Sequence, residues 1–206
     1  MKKNKTNIFI IIGLLLLAAA LVLTGKNILE EQRAEKLSIS AAEELISQIE
    51  PQKSEDAKNR ESGSTPEYII NPEIEMPTKK IDSLDYIGVL RVPALGLKLP
   101  VLSEWSYDNL TVSPCRYSGS AYLRNMVIAA HNYRSHFARL RALQPGDKVR
   151  FTDVESNRFD YEVVETEILL PEQVEELKSG NWDLTLFTCT FGGEYRITVR
   201  CKVAEE

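Results

Sequence analysis

Three side-chain types in this chain bear chemistry that can be used together: a thiol that can act as a nucleophile, an imidazole that can move a proton, and a guanidinium of fixed positive charge. The thiol is Cys189, in the stretch LTLFTCTFGGEYRITVRC from Leu184 to Cys201. Alternating apolar and polar residues on either side of Gly192-Gly193 read as a β-hairpin. With those two glycines as the turn, pairing runs Phe191 with Glu194, Thr190 with Tyr195, and Cys189 with Arg196. Directly opposite residues have Cβ atoms about 4.5–5.5 Å apart, so a guanidinium at Arg196 is in reach of groups bonded to the sulfur. Arg200 shares that face by strand parity but lies further along, and is the weaker partner.

A cysteine of ordinary pKa is mostly a thiol at neutral pH, and a catalytic role asks for a nearby base or cation. The chain has two histidines, His131 and His136. His131 follows the apolar run VIAA, where a strand leaves the core and a side chain can enter a groove. His136 lies in a polar stretch beside Ser135 and is expected to be a solvated surface residue. Two readings of Cys189 stand side by side at this point: a reactive nucleophile, or a small buried hydrophobe in a strand. Cys115 and Cys201 are expected to be reduced core residues, with a bridge between them as the alternative. Isolated carboxylates such as Glu104 and Asp108 read as solvated groups, and no metal or cofactor is implied.

The elements that must position these groups are mostly short strands. YIGVLRVPALGLKLPVL is β-like and punctuated by proline and glycine, MVIAAH suits a buried strand, and KVRFTD followed by FDYEVVETEIL reads as a strand pair. Two helical pieces interrupt them, SHFARLRAL and PEQVEELKSG, the latter with proline at its start and glycine at its end. Many short strands with few helices suggest a mainly β fold, a closed β-barrel whose closure removes exposed edges. The barrel is assigned to residues 81–206.

Ahead of it, Lys2, Lys3 and Lys5 precede the uncharged run IFIIIGLLLLAAALVLTG from Ile8 to Gly25. At about 1.5 Å per residue such a helix just crosses a hydrocarbon core. The run exceeds the apolar region of an ordinary cleaved signal, so residues 1–25 read as a basic cytoplasmic tip and an uncleaved signal anchor, with the rest of the chain on the extracellular face. Residues 26–50 are rich in helix formers and end before Pro51, as a helical stalk serving as a spacer. Residues 51–80, containing SEDAKNRESGSTPE, read as a flexible linker. In the full 206 residues the net charge is −5 with a sequence pI near 5.3, and no basic stripe follows the first residues, which argues against nucleic acid as a partner.

At TLFTC, Thr185 to Cys189, the sequence resembles the TLxTC signature of sortases, membrane-anchored cysteine transpeptidases of Gram-positive bacteria. AAHN is similar to that family's strand-to-histidine segment, and YRITVRC to its arginine-bearing strand. IGVLRVPALGLKLPV resembles its opening strands, so the likeness extends from about Ile81 to Val203. Ala130 stands where many members have glycine, and the TFGGEY connection is shorter than in several classes. A second apolar span and an aspartate-proline-aromatic lid motif, both found in pilin-polymerising members, are not seen.

The resemblance implies a sortase-like barrel in which Cys189 is the nucleophile, His131 the general acid and base, and Arg196 the oxyanion or substrate-backbone donor. Thr188 is a candidate substrate contact as well as a β-branched strand residue. The implied partners are surface proteins bearing a C-terminal sorting signal of LPxTG type and an amine of the cell wall or its precursor. A surface cysteine endopeptidase using water, and a non-catalytic membrane-tethered β-barrel that binds wall material, are the competing functions.

Overall fold

In Leu184–Cys189 and Arg196–Val203 the residues alternate between two environments, and this alternation sets the plan of the molecule. Leu184, Leu186, Val199 and Cys201 are sealed in one core cluster, while Thr185, Phe187 and Cys189 face the other way. The computed structural model describes residues 3–60 and 65–204. Lys2 of the basic tip and residues 61–64 of the expected linker lie outside the described residues.

Nine strands occur in chain order: β1 (Lys79–Ile81), β2 (Leu84–Val92), β3 (Leu97–Leu102), β4 (Cys115–Ser118), β5 (Met126–Ala129), β6 (Lys148–Asp153), β7 (Arg158–Leu169), β8 (Leu184–Cys189) and β9 (Arg196–Val203). They hydrogen-bond in the order β1-β2-β3-β4-β5-β8-β9-β7-β6, and β6 returns to pair with β2. The ring from β2 round to β6 is therefore a closed eight-stranded barrel, with β1 added outside it as a hairpin arm on β2. The β3–β4 and β5–β8 pairs are parallel and the rest antiparallel. At the β2 bulge Gly88 lies against β6: a Cβ there would stand 2.2 Å from the Thr152 carbonyl oxygen, so the barrel closes only around a bare backbone.

The barrel interior is filled by Leu90, Leu99, Val101, Ile128, Phe137, Phe151, Val163 and their neighbours. Short helices α2 (Glu67–Ile70), α3 (Tyr107–Leu110) and α4 (Val174–Lys178) lie on connections. The segment expected to form a helix at SHFARLRAL is instead a series of turns ending in a short 3-10 stretch, Leu140–Ala142.

Helix α1 (Lys3–Arg60) includes an 18-residue stretch of mean hydropathy 2.9, none of it buried, so it is long and apolar enough to cross a membrane. Beyond it the helix departs from the spacer expected over residues 26–50. Ala34, Ser38, Ala41, Ala42, Leu45, Ile46 and Ile49 are buried, at the i, i+3, i+4, i+7 spacing of a helix laid on a surface. Five of them join a second cluster with Ile81, Tyr86 and Val89 of the barrel. The helix also continues through Pro51, where a break was expected. Residues 65–80 are mostly exposed but touch the barrel at particular points: Tyr68 stacks on Tyr122 with ring centroids 4.7 Å apart, and Met76 lies in the interior cluster. Apolar residues spaced among the polar ones of that stretch account for the difference.

Candidate active site

Strand parity carries the three candidate groups to one face. In β8, Thr185, Phe187 and Cys189 point away from the interior, and the register pairs them with Arg200, Thr198 and Arg196 of β9. On the other side of β8 runs β5 in parallel, with Val127 opposite Thr185 and Ala129 opposite Phe187. Ala130 turns inward to the core, so His131, next in the alternation, emerges on the face of Cys189. His131, Cys189 and Arg196 line one cavity of about 190 Å³.

The Cys189–Arg196 register is the one read from the Gly192-Gly193 turn. Thr190 N–H donates to the Tyr195 carbonyl and Gly193 N–H to the Thr190 carbonyl, closing the hairpin. The Arg196 guanidinium folds back over this turn, donating to the Gly193 carbonyl at 3.1 Å and the Tyr195 carbonyl at 3.3 Å. Cys189 is a free, half-buried thiol. The His131 ring lies against Tyr133, centroids 4.8 Å apart. Burial holds the His131 pKa below the ordinary histidine value, and the Glu30 carboxylate of α1 opposes that shift. The nearby Glu31 carboxylate accepts a 2.6 Å hydrogen bond from Arg134 N–H.

Of its two readings, Thr188 takes that of a strand residue rather than that of a substrate contact. It is 1 % exposed, turned to the inner side of β8, and its hydroxyl donates to the Ala130 carbonyl at 2.8 Å. That buried bond ties the strand bearing Cys189 to the peptide preceding His131, and leaves Thr188 no access to a ligand. His136 also departs from its expected surface position. It is fully buried, neither ring nitrogen has a hydrogen-bond partner among the described residues, and its ring lies 5.5 Å from that of Tyr133. Burial, with a smaller contribution from His131, pushes its pKa down to about 4. Cys115 and Cys201 are free and fully buried, and burial pushes both thiols up to about 12.

The sequence reading missed the walls of the cavity. One wall is aromatic: Trp105 meets Tyr107 and Tyr117 edge-on, and Tyr117 meets Phe187, with centroids 5.1–5.6 Å apart. The other is the end of β7 with the β7–β8 connection, from Leu169 through Leu177. The signal available was a cluster of rings, Trp105, Tyr107 and Tyr117, in an otherwise polar stretch. Among the described residues no group of three or more His, Cys, Asp or Glu side chains is placed to hold a metal ion.

The chain as a whole has relatives among known proteins. A Sortase domain family model matches residues 90–204. Sortase A of Bacillus anthracis is 28 % identical over 196 residues, which span 90 % of this chain and 89 % of that protein. In three dimensions the chain resembles a sortase D5 transpeptidase of Clostridium perfringens, with TM-score 0.53 and 23 % identity over 73 % of this chain and 95 % of the other. Sortase C of C. perfringens, solved with the C-terminal cell wall sorting motif, aligns with TM-score 0.52 and 22 % identity over 81 % and 91 %. A family match covering more than half of the chain, on a closed barrel that turns His131, Cys189 and Arg196 to one face, establishes that this protein belongs to the sortase family.

Proposed function

We propose that the chain is a membrane-anchored cysteine transpeptidase that cleaves an LPxTG-like sorting signal and transfers the surface protein to an amine of the cell wall or its precursor. The observation that carries this reading is the meeting of His131, Cys189 and Arg196 along one cavity with apolar walls. A sorting peptide in extended form lies along that cavity. The sulfur of Cys189 attacks the carbonyl carbon of the scissile bond while neutral His131 accepts the thiol proton. Burial keeps the imidazole neutral at ordinary pH, the form that can act as that base. A tetrahedral intermediate forms, and the Arg196 guanidinium swings from its carbonyl partners at the turn to donate to the oxyanion.

The C–N bond then breaks. The departing amine takes the proton from His131, leaving a thioester on Cys189. An incoming amine, once inside the cavity, gives a proton to His131 and attacks the thioester; the new amide forms and the thiol is restored. The apolar walls exclude water, which favours the amine as acceptor. The solved sortase C neighbour carrying a C-terminal cell wall sorting motif supports the substrate class. Lysines ahead of the apolar stretch of α1 support an orientation with the barrel outside the membrane. Anchoring there concentrates the enzyme with substrates confined to the same surface.

The test is mass spectrometry of the full chain incubated with a library of LPxTG-type peptides, with and without triglycine. The expected result is a thioester at Cys189, lost in Cys189→Ala, that resolves into ligated product when triglycine is present. Hydrolysis without ligation would assign the protein to surface endopeptidases. A thiol that neither acylates nor reacts with alkylating agents would make the barrel a binding module.

A further inference from the structure

Arg200 is a guanidinium that the proposed chemistry leaves unused, and it is 3 % exposed. A buried guanidinium is costly unless its donors are filled. Its Nε donates to Glu167 Oε1 on β7 at 2.5 Å, forming an ion pair. One terminal nitrogen donates to Thr185 Oγ1 on β8 at 3.1 Å and to the Leu177 carbonyl at 2.8 Å, and the other to the Glu176 carbonyl at 2.7 Å. The last two acceptors belong to the final turn of α4, where no further helical turn supplies N–H donors; the Glu176 carbonyl also accepts from the Ser179 hydroxyl at 3.3 Å.

These bonds join the two halves of the cavity. Arg200 lies on the outer face of β9, opposite Thr185, as Arg196 lies opposite Cys189 two outward positions away. Leu169 at the end of β7 and Leu170, Pro171, Gln173, Val174 and Leu177 of the β7–β8 connection line the cavity wall. That connection is short of regular structure, with only the five residues of α4 helical. Leu177 is the one buried residue of α4, and its carbonyl is held by Arg200. The same strand pair thus carries the nucleophile at one end and the fastening of the facing wall at the other.

We propose that Arg200, held by Glu167, is a positioning residue that fixes the α4 wall relative to Cys189 and so sets the binding of the sorting peptide. The inference rests on the reading of this cavity as the peptide groove. Its guanidinium touches no substrate, and the thiol chemistry proceeds without it. Loss of the clamp raises KM, because the wall must be ordered again each time a peptide binds, while kcat and the reactivity of Cys189 are retained.

The experiment uses the full chain in detergent micelles as wild type, Arg200→Met, Arg200→Lys and Glu167→Gln. Three quantities are read: KM and kcat for an LPxTG peptide with triglycine, the rate of Cys189 alkylation by iodoacetamide, and amide hydrogen exchange at Leu177 and Ser179. In Arg200→Met we expect KM to rise about tenfold, kcat and alkylation to stay within about twofold, and exchange at Leu177 and Ser179 to quicken. Arg200→Lys, which cannot fill the fork of acceptors, restores little of this. Glu167→Gln, which keeps every backbone contact of α4, gives a smaller change of the same pattern and serves if Arg200→Met fails to fold. Unchanged exchange at α4, or a loss confined to kcat with slower alkylation, overturns the assignment. Should wild type turn over no peptide, the reading of the groove fails, whereas the exchange data still decide whether Arg200 fastens the wall.

Discussion

Acid should weaken this fold through His136 in a way that one substitution removes. The imidazole is fully buried, has no hydrogen-bond partner among the described residues at either nitrogen, and titrates near 4 rather than near its ordinary 6.5. Between those values the unfolded chain binds a proton that the folded chain refuses, so stability falls as pH drops from about 6.5 to about 4 and the loss is complete below. A separation of about 2.5 pKa units at about 1.36 kcal/mol per unit gives roughly 3 kcal/mol. His131 shifts in the same direction, and the raised pKa of buried Asp153 contributes with the opposite sign; Asp153 acts in wild type and variant alike, while the repulsion between His131 and His136 is lost with the substitution and adds to the same difference. The informative measurement is therefore a difference: urea unfolding of wild type and His136→Leu in the same micelles from pH 7.5 to pH 4.5. Leucine fills about the same space without two unbonded nitrogens, so the variant should match or exceed wild type at pH 7.5 and gain on it steadily as pH falls, by on the order of 2–3 kcal/mol at pH 4.5. Unfolding curves that move in parallel across this range would refute the argument and imply that the imidazole is solvated.

Three further outcomes are expected from the packing of α1, Thr188 and Asp153. Removing residues 1–25 should leave a folded soluble protein, whereas removal through residue 50 strips Leu45, Ile46 and Ile49 from the barrel, at about 2 kcal/mol for each buried side chain, and should lower the melting temperature sharply or cause aggregation on gel filtration. Thr188→Val removes the donor to the Ala130 carbonyl; urea unfolding should show a loss of about 1–2 kcal/mol, and peptide turnover should fall more than stability does as the peptide before His131 loosens. Asp153→Ala leaves Tyr122 Oη–H, Asn157 Nδ2–H and the N–H groups of Glu155 and Asn157 without their common acceptor at the β6–β7 turn, and should cost roughly 3–5 kcal/mol in the same assay.

The features legible in advance were local or periodic. A Gly-Gly turn between alternating strands specified the Cys189–Arg196 register, because hairpin pairing depends on a few consecutive residues. The uncharged run of α1 announced a long apolar helix for the same reason. The pairing of β6 with β2 that closes the barrel joins segments separated by three other strands in sequence, and nothing in either segment names its partner. His136 illustrates a different failure: its neighbours in sequence are polar, but the chain after His131 folds back as turns and carries the ring inward, with His136 N–H donating to the Tyr133 carbonyl. The packed face of α1 was visible as a stripe at residues 34, 38, 41, 42, 45, 46 and 49, yet helix formers beside an anchor also suit a spacer, and only the matching surface on the barrel decides between them.

Thr188 shows how strand parity divides a motif into two tasks. In TLFTC, Leu186 and Thr188 belong to the inner face, and Phe187 and Cys189 to the outer. A polar residue beside a candidate nucleophile invites a substrate role, but adjacent strand positions point in opposite directions, so a neighbour of Cys189 in sequence is the residue least able to share its cavity. Thr188 serves from behind instead, its hydroxyl holding the peptide from which His131 departs. The residues that do share the cavity with Cys189 are Phe187, two positions earlier in β8, and groups from the β3–β4 connection with α3, from β4, from the end of β5 through His131, from β9, and from the end of β7 and the connection after it. The face, rather than the motif, is therefore the unit in which this site is built, and substitutions that invert the alternation of β8 should abolish folding and activity together.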